Sequence, residues 1–147
     1  MRPRQIIAVL ALAGAFVALY LTLYKIGVIG ALSCSVGECE TVNTSQWATF
    51  LGLSVAAWGL GAYLTIFVLA LAGLRDTLED SLPLSRALAA LSGAGFIFSA
   101  WLTYLELFVI HAICVWCVTS AIIITFIFLA AIVDLRATAR STRAERG

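Results

Sequence analysis

The order of apolar and polar residues divides the chain into four long apolar stretches joined by shorter polar connections. The stretches cover residues 6–24, 53–74, 87–108 and 113–133. Each has roughly the 20 residues that a helix needs to cross the hydrocarbon layer of a bilayer. Backbone polar groups cannot stay unpaired in lipid, so spans of this kind must be helices. The run from residue 87 to residue 133 is broken mainly by Glu106 and His111, and its length predicts a tight helical hairpin.

The composition points to a membrane protein as well. Of the 147 residues, 63% are hydrophobic and only 12% are charged, and the mean hydropathy is +1.06. A water-soluble domain of this size carries far more charge on its surface. The length suits one domain, and a net charge of +1 gives no indication of a nucleic-acid partner. The sequence therefore predicts an all-α integral membrane protein that lies in the lipid bilayer.

The basic residues lie almost entirely on one side of the four predicted spans. Of the nine Lys and Arg residues, only Lys25 falls on the other side. Because cytoplasmic connections carry the excess of Lys and Arg, we expect both termini and the 75–86 connection in the cytoplasm. The 25–52 loop and the turn near His111 then face outward, in a multi-pass protein of the inner (plasma) membrane.

The two ends of the chain carry further expectations. The polar segment 135–147 is expected to be a disordered cytoplasmic tail, which leaves residues 1–134 as the membrane domain. The arginine-rich start and the apolar run after it resemble a signal peptide, and ALSC at 31–34 faintly resembles a lipoprotein cleavage site. The apolar run is long for a signal and ALSC matches poorly, so we favour an uncleaved first span.

The four cysteines fall into two pairs along the chain, Cys34 with Cys39 and Cys114 with Cys117. Both pairs lie on the outer side of the expected topology, where the compartment is oxidising and disulfides form. The first pair lies in a loop with Gly37, which makes the loop flexible enough to close a small ring. The second pair opens the fourth span, where its members share a helix face and the helix N-terminus stabilises a thiolate. Two such pairs suit electron relay by thiol–disulfide exchange.

Plainer interpretations of the cysteines stay open. Cys34 and Cys39 would also suit an inert staple of the loop, and Cys114 and Cys117 would also pack as small apolar residues. Four cysteines also suit a zinc ion. The four-residue gap in the loop pair and the apolar setting weaken that interpretation, so no metal site is predicted.

Three segments carry a resemblance to a known family. They are the loop pair, VNTSQWATFLGLSVAAWG at 42–59 and YLELFVIHAICVWCVTS at 104–120. With these segments the chain resembles the bacterial homologues of vitamin K epoxide reductase over nearly its whole length, 7–133. The quinone-linked thiol oxidases of the DsbB type also have four spans and two cysteine pairs. Their CxxC comes early in the chain, so the order here argues against them.

The resemblance implies a four-helix bundle around a membrane quinone of the menaquinone, ubiquinone or vitamin K type. By the same resemblance, Cys117 faces the quinone and Cys114 exchanges with the loop pair through Cys39. Cys34 then meets the partner, a separate thioredoxin-fold protein of the DsbA-like type. Electrons would pass from the partner dithiol to Cys34–Cys39, then to Cys114–Cys117 and then to the quinone.

The segment 43–51 is predicted to form a short lid helix in the outer first loop, over the quinone end of the bundle. Asn43, Thr44 or Ser45 would cap this helix. Ser45 also matches a serine of the family, which makes it a candidate for a contact with the quinone. Trp47 is a second candidate, although an interfacial anchor is an equally good interpretation of this segment without the resemblance.

Three further residues are candidates near the CVWC motif. Trp116 lies inside the motif and would tune the pair or anchor the interface. His111, the single histidine of the chain, would assist proton transfer or lie as a polar residue at a span end. Glu106 is a candidate because ionisable residues at membrane depth are often functional, although it would also reach the headgroups.

The leading hypothesis is therefore an enzyme, a quinone-dependent thiol oxidase that sustains disulfide formation outside the cytoplasm. Reduction of vitamin K epoxide uses the same motifs and is the alternative within the enzyme class. A non-catalytic membrane protein braced by disulfides and a metal-binding membrane module are the alternatives from other classes.

Overall fold

Four long helices dominate the computed structural model, which describes residues 2–31 and 38–147. In chain order the helices are α1 (Pro3–Lys25), the short α2 (Cys39–Thr44), α3 (Val55–Ala72), α4 (Leu82–Leu105) and α5 (Val115–Arg146). A π-helical turn, Glu106–Ile110, continues α4. The four long helices are long and apolar enough to cross a membrane. The four predicted spans and the all-α membrane bundle are thereby confirmed.

Small residues let the long helices approach one another closely. α1 packs against α3 and α5, and α4 packs against α5. Gly14 of α1 lies so close to the Tyr63 ring of α3 that a β-carbon would overlap the ring. A β-carbon at Gly95 of α4 would lie 3.2 Å from the side chain of Ile124 in α5. Close backbone approach through small residues is a usual means of packing helices in lipid.

The outer surface of the bundle is apolar. Val9, Phe16, Val68 and Ile97 are each at least 60% exposed. On a water-soluble protein, contiguous exposed apolar area of this kind would mark a binding surface. On helices that are long enough to span a membrane, it is the surface that contacts the lipid tails.

A buried ion pair ties the helices together at the end of the bundle that carries both chain termini. Arg4 Nε donates to the two Asp134 carboxylate oxygens at 3.0 and 3.2 Å. Arg4 Nη1 donates to the carbonyls of Gly73 and Leu78 at 2.7 and 2.8 Å. Arg4 Nη2 donates to Ser85 Oγ at 2.9 Å. This one guanidinium therefore joins α1 to α4, to α5 and to the connection after α3.

The structure corrects the prediction of a disordered tail from residue 135. α5 continues without a break to Arg146. Thr138 is buried, and its hydroxyl lies 3.1 Å from Ser85 Oγ. The contacts of Asp134 and Thr138 with other helices hold this part of α5, and the Ala and Arg residues that follow are strong helix formers. The domain boundary at residue 134 stays a prediction.

The loop between α1 and α3 differs from the predicted lid helix over 43–51. In the structure, a 3-10 turn at Gln46–Ala48 follows α2, and strands β1 (Thr49–Phe50) and β2 (Leu53–Ser54) then pair antiparallel. Leu51 and Gly52 form the hairpin turn with φ of 51° and 82°. These left-handed values suit a tight hairpin turn and end any helix.

Ser45 lies between α2 and the 3-10 turn. It ends α2, with an extended backbone, and its hydroxyl donates to the Val42 carbonyl at 2.7 Å. Neither Ser45 nor the two residues before it caps a helix over 43–51. The short helix of this loop instead begins at Cys39, four residues earlier than the prediction.

Candidate functional site

Cys114 and Cys117 begin the fourth long helix, as the sequence predicted. Cys114 is the N-cap of α5 and has an extended backbone, with φ of −102° and ψ of 115°. Its Sγ accepts a hydrogen bond from the backbone N–H of Cys117 at 3.4 Å. A capping side chain satisfies one of the free N–H groups at a helix start, and here a cysteine sulfur does so. Both residues are free thiols.

The environment of Cys114 favours its thiolate. Cys114 lies just before the first residue of the fourth span, and a hydrogen bond from the Cys117 thiol lowers the pKa of the Cys114 thiol below its usual value. Burial acts in the opposite direction and is outweighed. The positive end of the α5 dipole adds to the stabilisation of a negative sulfur. Because a thiol with a lower pKa leaves faster in thiol–disulfide exchange, Cys114 is suited to be released as a thiolate from a mixed disulfide with another cysteine.

Cys39 packs in one buried cluster with Cys114. The cluster also contains Leu21 and Ala112, so it joins the end of α1, the start of α2 and the start of α5. The backbone N–H of Glu38 donates to the Ile113 carbonyl at 2.7 Å, which fixes the start of α2 against the residue before Cys114. Cys39 is disulfide-bonded.

Cys34, the other member of the predicted loop pair, lies outside the described residues. Its part in the predicted relay rests on its position in the sequence, five residues before Cys39. The three described members of the two pairs, Cys39, Cys114 and Cys117, lie together at the same end of the bundle. That end is opposite to the one that carries Arg4 and Asp134.

Asn43 lies between the two cysteine pairs. Its Nδ2 donates to the Cys39 carbonyl at 2.8 Å and to Cys114 Sγ at 3.6 Å. Lys25 Nζ at the end of α1 donates to the Asn43 carbonyl at 3.1 Å. From the sequence pattern, Asn43 was predicted only as a helix cap. Its spacing of four residues from Cys39 places both on one face of α2, and that spacing was the signal available in the sequence.

Glu106, directly after α4, contacts the CVWC motif from the third span. It begins the π-helical turn and is only 5% exposed. Its Oε2 accepts the backbone N–H of Cys114 at 3.2 Å, and its carboxyl group also interacts with the Cys117 thiol, whose one proton is shared between Glu106 and Cys114. The Glu106 backbone carbonyl accepts the Ala112 N–H at 3.1 Å. Short π-helical turns occur frequently at functional sites.

An apolar cavity of about 380 Å³ lies beside Cys117. Its volume falls within the range of about 300–1,000 Å³ that is typical of small-molecule sites. The wall combines residues of all four long helices with residues of the 42–59 segment. Five aromatic side chains line it, namely Trp47, Phe50, Trp58, Tyr63 and Phe98. Its polar groups include Lys25, Asn43, Tyr63, Glu106 and Ser120.

Comparison with protein families gives one match that covers most of the chain. A family model described as the vitamin K epoxide reductase family matches residues 5–132. The chain belongs to the vitamin K epoxide reductase family. Members of this family are oxidoreductases, and a quinone or vitamin K is their redox substrate. The family predicted from the loop cysteines and the CVWC motif is thereby confirmed.

Within this vitamin K epoxide reductase fold, the predicted cofactor-contacting residues lie in two places. Ser45 and Trp47 line the cavity, whereas Trp116 and His111 do not. The Trp116 ring lies 5.1 Å from that of Tyr20 in α1. His111 is exposed and has a left-handed backbone that ends the π-helical turn. The roles of these four residues toward a quinone stay predictions.

Proposed function

We propose that this member of the vitamin K epoxide reductase family is a membrane thiol oxidase that reduces a quinone and supports disulfide formation. Electrons enter at Cys34–Cys39, pass to Cys114–Cys117 and leave to a quinone in the cavity. One observation gives the main support for this proposal. The two sulfurs of the CVWC motif differ in one respect. Cys114 is buried in a cluster with Cys39, against which Cys117 also packs, but of the two only Cys117 lines the cavity.

The exchange between the two pairs follows from the position of Cys114. In the proposed cycle, the Cys39 thiolate attacks Cys114 Sγ in the oxidised Cys114–Cys117 pair and releases Cys117 as a thiolate. Cys34 then attacks Cys39 in the mixed disulfide and releases Cys114. Two electrons have then moved from the loop pair to the CVWC pair. The free thiols of Cys114 and Cys117 and the disulfide-bonded Cys39 correspond to the state after this transfer.

The cavity fits the ring of a quinone. Of the cysteines in the described part of the chain, Cys117 alone lines it. The aromatic side chains of the wall suit stacking against a flat conjugated ring, and the few polar groups suit its carbonyl oxygens. Cys114 and Cys117 lose two electrons as their disulfide forms, and the quinone takes up these electrons with two protons. The cavity volume suits a menaquinone, a ubiquinone or a vitamin K equally.

The charge distribution supports the proposed orientation in the inner (plasma) membrane. Arg75, Arg86 and Arg136 lie at the end of the bundle that carries both termini, and Lys25 lies at the cysteine end. By the positive-inside rule, the termini are cytoplasmic and the cysteines are on the outer side. The loop pair then faces the compartment in which disulfides form. A thioredoxin-fold protein of the DsbA-like type is the proposed electron donor there.

The test is quinone reduction by the purified full-length chain in detergent. Menadione and a short-chain ubiquinone are the acceptors, and the donor is either dithiothreitol or a reduced thioredoxin-fold protein. We expect Cys114→Ala and Cys117→Ala to abolish turnover with both donors. We expect Cys34→Ala and Cys39→Ala to abolish turnover with the protein donor and to retain it with dithiothreitol, which replaces the loop pair.

Glu79→Gln is the matched control. This partly exposed carboxylate lies at the opposite end of the bundle, so its replacement should leave every rate unchanged. Wild-type protein that reduces no quinone, or cysteine variants that reduce it at the wild-type rate, would contradict the proposal. Cysteine variants that lose only stability would favour the disulfide-braced alternative. Turnover of vitamin K epoxide but not of either quinone would identify the epoxide as the substrate.

A further inference from the structure

The buried carboxyl group of Glu106 takes no part in the electron path. Among the described residues, the ion pairs are those of Arg2 with Glu79 and of Arg4 with Asp134, and neither involves Glu106. Burial of a carboxylate without a counter-charge is costly, and an ionisable residue on a membrane span is a candidate functional residue. The position of Glu106 therefore indicates a function that requires an ionisable side chain.

The reaction needs a proton path as well as an electron path. A dithiol releases two protons when it becomes a disulfide, and a quinone takes up two protons when it becomes a quinol. Glu106 and Cys117 line the same cavity, and the Glu106 carboxyl group interacts there with the Cys117 thiol. We propose that Glu106 is a catalytic residue that carries a proton from the Cys117 thiol to the quinone, a role that rests on the proposed function.

The proposed step balances in protons and electrons. The Glu106 carboxylate takes the proton of the Cys117 thiol as the Cys114–Cys117 disulfide forms. The two electrons of the two thiols pass to the quinone, and protonated Glu106 gives its proton to a carbonyl oxygen of the ring. The proton of Cys114 and the second proton of the quinol exchange with water at the outer side of the membrane.

Other titratable groups near the cavity are less suited to this task. The Tyr63 hydroxyl donates to the Ser120 carbonyl at 2.9 Å, and Lys25 Nζ donates to the Asn43 carbonyl at 3.1 Å. His111, the sequence-based candidate for proton transfer, is exposed and does not line the cavity. Glu106 is the group that contacts a reacting thiol and the cavity together.

A purely structural role for Glu106 is the alternative that must be distinguished from proton transfer. Because its Oε2 accepts the Cys114 N–H, the residue would also position the start of α5. Glu106→Gln keeps an oxygen that accepts this N–H but cannot carry the proton. Glu106→Asp keeps an acid with a shorter reach. A positioning role predicts that Gln is tolerated better than Asp, whereas proton transfer predicts the opposite order.

The experiment compares wild type, Glu106→Gln, Glu106→Asp and the control Glu79→Gln in full-length purified protein. The first measurement is menadione reduction with dithiothreitol as donor, for which general acid–base catalysis predicts a loss of about 100-fold in Glu106→Gln and a smaller loss in Glu106→Asp. The second is the infrared difference spectrum between oxidised and reduced protein without quinone. We expect a carboxyl band that changes with the redox state of the cysteines and is lost in Glu106→Gln but not in Glu79→Gln.

The outcomes separate this inference from the proposed function. Wild-type protein that reduces no quinone overturns both. Active wild type with an equally active Glu106→Gln overturns only the role of Glu106, as does a Gln variant that is more active than the Asp variant. If Glu106→Gln does not fold, the Asp variant and the wild-type spectrum decide. A wild-type spectrum without a redox-linked carboxyl band then refutes the proton carrier.

Discussion

The substitution Asp134→Asn tests whether the buried ion pair stabilises the bundle. Arg4 and Asp134 are 4% and 7% exposed, so removal of the negative charge leaves a guanidinium that is buried without a counter-charge. Breaking a buried pair by removing one partner costs about 3–5 kcal/mol. Arg4 would keep its hydrogen bonds to Gly73, Leu78 and Ser85. We therefore expect a loss near the lower limit, about 3 kcal/mol in the free energy of unfolding.

Equilibrium unfolding in mixed detergent micelles, followed by circular dichroism, measures this loss. The control is Glu79→Gln, which breaks the pair with Arg2 at the same end of the bundle. That pair is short, at 2.6 Å, but its side chains are 42% and 61% exposed, so its loss should cost no more than about 1 kcal/mol. Replacing both buried partners, as Arg4→Met with Asp134→Leu, should restore much of the stability. If Asp134→Asn costs no more than Glu79→Gln, the buried pair does not hold the helices together.

Two further predictions concern the packing of the bundle and the thiols. Gly14→Ala should lower the free energy of unfolding by about 1–3 kcal/mol, since its β-carbon would overlap the Tyr63 ring. Gly61→Ala is the control, because a β-carbon at that position has no neighbour within 4 Å. Equal unfolding curves for the two variants would contradict the packing argument. Cys117→Ala should raise the pKa of Cys114, because the hydrogen bond from Cys117 is the largest cause of its lowered value. Alkylation of Cys114 by iodoacetamide should then be slower at neutral pH and reach its half-maximal rate at a higher pH, whereas an unchanged pH profile would show that this hydrogen bond does not stabilise the thiolate.

The spans were predictable because apolar length is a local property of the sequence. The predicted stretches 53–74 and 113–133 correspond to helices that begin at Val55 and Val115. The place of the CVWC motif was predictable for the same reason, since the polar break at 106–111 sets where the fourth helix begins. The helix that begins at Cys39 was displaced from its prediction by only a few residues.

The remaining features of the structure could not be predicted, because they depend on contacts that a local sequence pattern does not show. The ordered end of α5 depends on Asp134 and Arg4, which are 130 positions apart in the chain. The hairpin before α3 has strands of only two residues, too short for any alternation of apolar and polar positions to be visible. The burial of Glu106 depends on a π-helical turn that ends in the left-handed backbone of His111, a conformation that is uncommon outside glycine.

The start of α5 explains how one CVWC motif can contact both Cys39 and the cavity. Because a helix turns about 100° per residue, positions three apart return to within about 60° of each other, so the sulfurs of Cys114 and Cys117 stay close enough for a hydrogen bond. The extended N-cap backbone of Cys114 nevertheless lies outside the helix, beside Cys39. Cys117, which is inside the helix, follows the α5 surface into the cavity wall. A motif buried in mid-helix would bury both sulfurs in the same way, whereas at this helix start Cys114 is buried with Cys39, and Cys117, which packs against the same cluster, also reaches the cavity.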